Sequence, residues 1–181
     1  MFHTSGDFVV PVANLFDLAN TDFDPDAFKA RCSAFAKFKK SQSFADLWYF
    51  SFGKHTPVMM VTVDVYSPVP AKVRFCVLSV CWWETWTRQQ HPSEESYRDE
   101  RKTFDRLYDQ QLAHATSILG DPQSIGIAKN EQHFKRAIWR GTTGLLTLQQ
   151  SAYDRQFGLD INYWVEPWSS ETPDASKHLP G

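Results

Sequence analysis

At 181 residues, with a net charge of −2 and a pI near 6.3, the chain is long enough for one domain with a real core and lacks the basic excess that nucleic-acid binding needs. No stretch approaches the roughly 20 apolar residues of a membrane helix, and the start, MFHTSGDFVVPVANLF, lacks the basic-then-apolar order of a secretory signal. Three cysteines cannot all pair within one chain, so free thiols in a reducing cytoplasm are expected, with neither a membrane nor nucleic acid as partner.

Residues 1–20 alternate short apolar groups with Pro11, Asn14 and Asn20, the pattern of an extended arm or short edge strand. Asp24, Pro25 and Asp26 then open a helix: a capping carboxylate, a proline at the first helical position and an acid in the first turn. Phe28, Cys32, Phe35 and Phe38 follow at helical spacing, which predicts a helix from Pro25 to Lys39. Three strands follow. Asp46 to Phe52 is aromatic, and Val58 to Tyr66 is β-branched. Ala71 to Trp83 is apolar on both faces beyond Arg74, as a central strand would be. Within it Cys76 and Cys81 lie five apart, which in an unbroken strand puts them on opposite faces and excludes a two-cysteine metal clip.

The longest element is the helix expected from Ser93 to Gly120. Ser93 can cap it, Glu94 and Glu95 suit the positive end of its dipole, and Gly120 followed by Pro122 ends it. Tyr97, Phe104, Leu107, Tyr108, Leu112, Ala115, Ile118 and Leu119 form its apolar stripe. Glu100, Arg101 and Gln111 fall within or beside that stripe. Each needs a partner or water, because burying a lone charge is costly. With Tyr97 they could line a polar pocket between helix and sheet.

Past the helix, Gln123 to Glu131 reads as a short strand or loop, Phe134 to Arg140 as a strand, and Gly141 to Gly144 as a tight turn. Leu145 to Tyr153 and Leu159 to Glu166 form the closing hairpin. In the last strand Leu159, Ile161, Tyr163 and Val165 face one way, and Asp160, Asn162, Trp164 and Glu166 the other. The fold class expected is α+β: an antiparallel sheet of about six strands with two helices packed on it. The order helix, three strands, helix, three strands points to a duplicated αβββ unit. Residues 1–168 would form one domain and the proline-punctuated 169–181 a flexible tail.

No catalytic motif stands out. None of the six histidines has metal-site spacing, and no nucleophile elbow, phosphate loop or dinucleotide glycine pattern occurs. His114, at the edge of the helix stripe, fits a satisfied boundary histidine. Asp154, Asp160 and Glu166 could gather at one end of a hairpin, but two of them occupy the wet face of a strand, so no metal site or cofactor is expected. The stronger signal is aromatic: seven tryptophans, with Trp82, Trp83 and Trp86 before the long helix and Trp164 and Trp168 at the end of the sheet. A tryptophan among polar groups on a sheet face suits protein recognition or sugar stacking.

The segment ILGDPQ, AIWRGTTGLLTLQQ and GLDINYWVEP is a helix ending in LG-x-P, a tryptophan-bearing strand and two meander strands. In layout it resembles small bacterial α+β proteins of the toxin-immunity or secretion-chaperone kind. That resemblance covers roughly a third of the chain, transfers no functional residue, and implies a protein partner. Two functions are therefore expected. One is a non-enzymatic cytoplasmic binding protein that uses an aromatic sheet face or the rim of the central helix, with Trp86, Trp164 and Trp168 as candidate contacts. The other is a small-molecule-binding protein or enzyme with a pocket at Tyr97, Glu100, Arg101 and Gln111. A homodimer is compatible with both.

Overall fold

The computed structural model describes residues 3–4, 8–40, 46–54, 56–64, 71–82, 93–127, 134–154 and 158–168. The described elements run β1 (His3–Thr4), α1 (Val12–Leu18), α2 (Pro25–Ser33), β2 (Lys37–Lys40), β3 (Leu47–Ser51), β4 (Val58–Asp64), β5 (Lys72–Trp82), α3 (Glu94–Leu119), β6 (Ser124–Ile127), β7 (Lys135–Arg140), β8 (Gly144–Asp154) and β9 (Gly158–Pro167). All nine strands belong to one sheet, ordered β2-β3-β4-β5-β9-β8-β7-β6, with β1 paired to the far end of β5. Every neighbouring pair is antiparallel.

The class is α+β as the sequence implies, with more elements than expected. Residues 1–20 are not simply an extended arm, because Val12–Leu18 is a helix. Val12, Leu15 and Leu18 recur every third residue and are all buried. The second helix stops at Ser33, and Lys37–Lys40 forms a strand instead of its last turn. Phe38 was in register with both periods. As a strand residue it pairs with Phe50 and packs on that ring at 5.4 Å. Ser124–Ile127 is a strand at the opposite edge of the sheet. The sequence-read terminators hold. Asp24 accepts a hydrogen bond from Ala27 N at 2.9 Å, and Gly120 takes the left-handed conformation (φ 78°) that closes α3.

The helices share one face of the sheet. From α3, Phe104, Tyr108 and Ala115 are buried, while Ile118 at the end of the stripe stays 44% exposed. Facing them are Met59, Val61, Cys76, Leu78, Ala137, Trp139, Leu146, Leu148, Tyr163 and Val165, all part of one apolar cluster with Phe28 and Cys32 of α2. Polar seams fix the helices to that face. Tyr163 donates to the Gln111 carbonyl at 3.1 Å, Trp139 Nε1 to the Gly120 carbonyl at 3.0 Å, and His114 Nε2 lies 3.2 Å from the Val10 carbonyl. A register shift between Ser79 and Cys81 overturns one expectation. It turns Cys81 to the buried side with Cys76, so the two thiols do not straddle the sheet.

The two halves match strand for strand, and two of the three strand pairings match residue by residue; the β3–β4 and β7–β8 pairings differ by two residues in register. The shift that carries Val77 onto Trp164 carries the β4–β5 pairs Met59–Leu78, Met60–Val77, Val61–Cys76 and Thr62–Phe75 onto Leu146–Val165, Thr147–Trp164, Leu148–Tyr163 and Gln149–Asn162, which are pairs of β8 and β9. The same shift carries all four β2–β3 pairs, Lys37–Ser51 through Lys40–Trp48, onto the four β6–β7 pairs, Ser124–Ile138 through Ile127–Lys135. Each half is thus a helix followed by a four-stranded meander, one strand more than expected. The last strands of the halves pair at the centre, where Val77 meets Trp164.

Candidate functional site

Antiparallel pairing decides which residues share the face that carries no described helix. Ile161, Tyr163 and Val165 go to the core, so Asp160, Asn162, Trp164 and Glu166 lie on the other side, as the alternation predicts. Pairing adds residues from distant strands. Phe75 and Val77 come from β5, Thr147 and Gln149 from β8, and Arg136, Ile138 and Arg140 from β7.

At the centre the Phe75 and Trp164 rings stack with centroids 4.4 Å apart and planes 22° from parallel. Trp164 is half-buried, while its small neighbours are enclosed: Val77 is 8% exposed, Asn162 2% and Thr147 0%. The Thr147 hydroxyl has no hydrogen-bond partner among the described residues. Toward one end of the strands a polar chain crosses the face. Ser79 donates to Asn162 Oδ1 at 2.6 Å, Asn162 Nδ2 to Ser151 Oγ at 3.1 Å, and Ser151 to Asp160. Burial pushes the Asp160 carboxyl above its ordinary pKa, and the Ser151 and Asn162 hydrogen bonds pull it part of the way back.

Toward the other end, Arg136 lies 3.9 Å from Glu166. Desolvation lowers the Arg136 pKa and the Glu166 carboxylate works against that shift. Beyond them Trp168 is 40% exposed, and the Arg140 guanidinium sits 5.1 Å from its ring centre. The Trp168 backbone N–H donates to the Thr143 carbonyl at 2.8 Å, which holds the residue against the turn before β8. The result is an aromatic and charged stripe, Phe75, Trp164, Arg136, Glu166, Arg140 and Trp168, across the sheet.

The other expected site residues are placed differently. Glu100 is half-buried. Arg101 pairs with Asp105 at 3.2 Å and lies 5.4 Å from the Phe134 ring centre. Gln111 Oε1 lies 3.3 Å from the Tyr163 hydroxyl. Arg101 and Gln111 therefore help seat α3 on the sheet. The Tyr97 side chain and the whole of Trp86 lie outside the described residues. A shallow concavity on α3 is lined by Lys102, Asp105, Arg106, Asp109, Gln110 and Ala113, on the helix's outer side rather than toward the sheet. Asp160 and Glu166 do not gather, because Asp160 pairs with Ser151 and Glu166 with Leu145, near opposite ends of the hairpin.

Sequence reasoning found Trp164, Glu166 and Trp168 but missed Phe75, Arg136 and Arg140, which join them only through strand pairing. No helix among the described residues is long and apolar enough to cross a membrane. No protein-family model, curated protein or solved structure matches the chain.

Proposed function

We propose that this chain is a non-enzymatic binding protein that holds a protein partner against the sheet face that carries none of the described helices. The observation that carries the proposal is the stacked Phe75–Trp164 pair at the centre of that face, continued outward by Arg136, Glu166, Arg140 and Trp168. Tryptophan and arginine dominate the energetics of protein interfaces, because they combine large contact area with directed polar contacts. A pleated sheet presents them at fixed spacing, with little ordering entropy left to lose on binding. An immunity- or chaperone-like role, with a cytoplasmic partner, belongs to the same proposal.

The test is site-specific photocrosslinking in the native host. A benzophenone amino acid replacing Trp164 should give a discrete adduct with one other polypeptide. The same group at Arg106, on the outer side of α3, should not. An adduct at Arg106 alone, or at neither position, would contradict the proposal. A bound small molecule in place of a polypeptide would move the protein to the small-ligand class.

A further inference from the structure

The repeat allows the two edges of the sheet to be compared position by position. In the first half the edge strand is β2. Its inward Phe38 is packed on Phe50, with Trp48 6.5 Å away, and the Lys29 ammonium of α2 lies 4.2 Å from its ring centre. Its remaining residues are Lys37, Lys39 and Lys40. Lysines on an edge strand are a known guard against pairing with another chain.

The shift that relates the halves places Ser124, Ile125, Gly126 and Ile127 of β6 at these four positions. Here the guard is missing. β6 carries no charge and no proline. Ile125, the counterpart of the covered Phe38, is 67% exposed, and Ile127 is 54% exposed. Ile118, in the last turn of the helix that leads into β6, is 44% exposed. Among the described residues, no strand pairs with β6 on its outer side.

We infer that β6 is a self-pairing edge: two copies of this chain join β6 to β6, antiparallel about a twofold axis, into one continuous sheet. Charge selects this occupant. The β6 edge is neutral and can meet its own copy without repulsion, whereas the lysine-bearing β2 edge repels its own copy and guards against head-to-tail pairing with β6. The contact is therefore isologous and closes as a dimer instead of growing into a filament. With Gly126 near the axis, Ile125 of each copy falls opposite Ile127 of the other. Both apolar side chains then leave water through the same contact.

Sedimentation velocity of the purified chain over a wide concentration range tests this. The wild type should show a reversible monomer–dimer equilibrium. Ile125→Lys should weaken it by about tenfold or more, since the symmetric seam loses two isoleucine pairs at once. Ile127→Lys, a second exposed position, should do the same if Ile125→Lys disturbs folding. Val58→Lys, at an exposed position on β4, should leave the equilibrium unchanged. A wild type that stays monomeric throughout, or a dimer indifferent to both β6 lysines, overturns the inference.

Discussion

Val77 and Trp164 pair directly across the two central strands, and each is also the other's counterpart in the repeat. A twofold relation between the halves passes between them. The neighbours of this pair belong to the two faces alternately, so the two sides of the sheet can be compared by mutation. Leu78 is fully buried beneath the helices, and Leu78→Ala should cost about 2–5 kcal/mol. Val77 lies on the opposite face, outside the apolar cluster beneath the helices, and Val77→Ala should cost about 1–2 kcal/mol. Equal costs in urea unfolding would mean that both faces are equally covered.

Gly144 begins β8 where there is no room for a side chain. A Cβ there would lie 2.5 Å from the Glu166 carbonyl oxygen and 2.6 Å from Cζ of Phe23. Phe23 cannot easily yield, because it is buried, holds a positive φ of 60° and accepts a hydrogen bond from Val73 N at 3.0 Å. Gly144→Ala should therefore lower Tm by about 2–12 °C, as overpacking of roughly 1–3 kcal/mol does in a chain of this size. An unchanged Tm would show that the Phe23 segment moves freely.

All three thiols are buried. Burial pushes Cys81 up to about 12, with the nearby Asp160 carboxylate adding to the shift, and burial raises Cys32 and Cys76 as well. The native protein should take up no iodoacetamide at about pH 8, because the reactive thiolate is suppressed. Mass spectrometry should find three alkylated sites once the chain is unfolded. Rapid labelling of the native chain would show that β5 opens locally.

The raised pKa of Asp160 carries a sign that can be checked. In the native state the carboxyl keeps its proton to higher pH than in the unfolded chain, so the folded form binds more protons through that window. Stability then falls as pH rises from about 4 through the native pKa. Asp160→Asn removes this titration and keeps an oxygen to accept from Ser151. The variant's Tm relative to wild type should increase between about pH 4 and about pH 7. A constant difference would mean that Asp160 does not titrate abnormally.

What could be read from the sequence follows from which signals are local. The long helix, its glycine stop, the Asp24 cap and the alternation of β9 are written within a few residues of where they act, and each is found in place. The misread segments had two periods or none. Phe38 satisfied both helix and strand spacing. The seven residues of α1 follow the β-favouring run Phe8, Val9, Val10. β6 is only four residues long. The site was half legible for the same reason. Trp164 and Glu166 share a face by simple alternation, but Phe75 reaches Trp164 only because β5 and β9 pair across about half of the chain's length.

Native mass spectrometry of the chain, gently purified from its own host, tests the central claim most directly. The wild type should carry a second polypeptide at fixed stoichiometry, and Trp164→Ala should lose it while keeping the wild-type circular dichroism spectrum. A partner retained in full by Trp164→Ala would place the binding surface elsewhere and contradict the assignment of the Trp164 face.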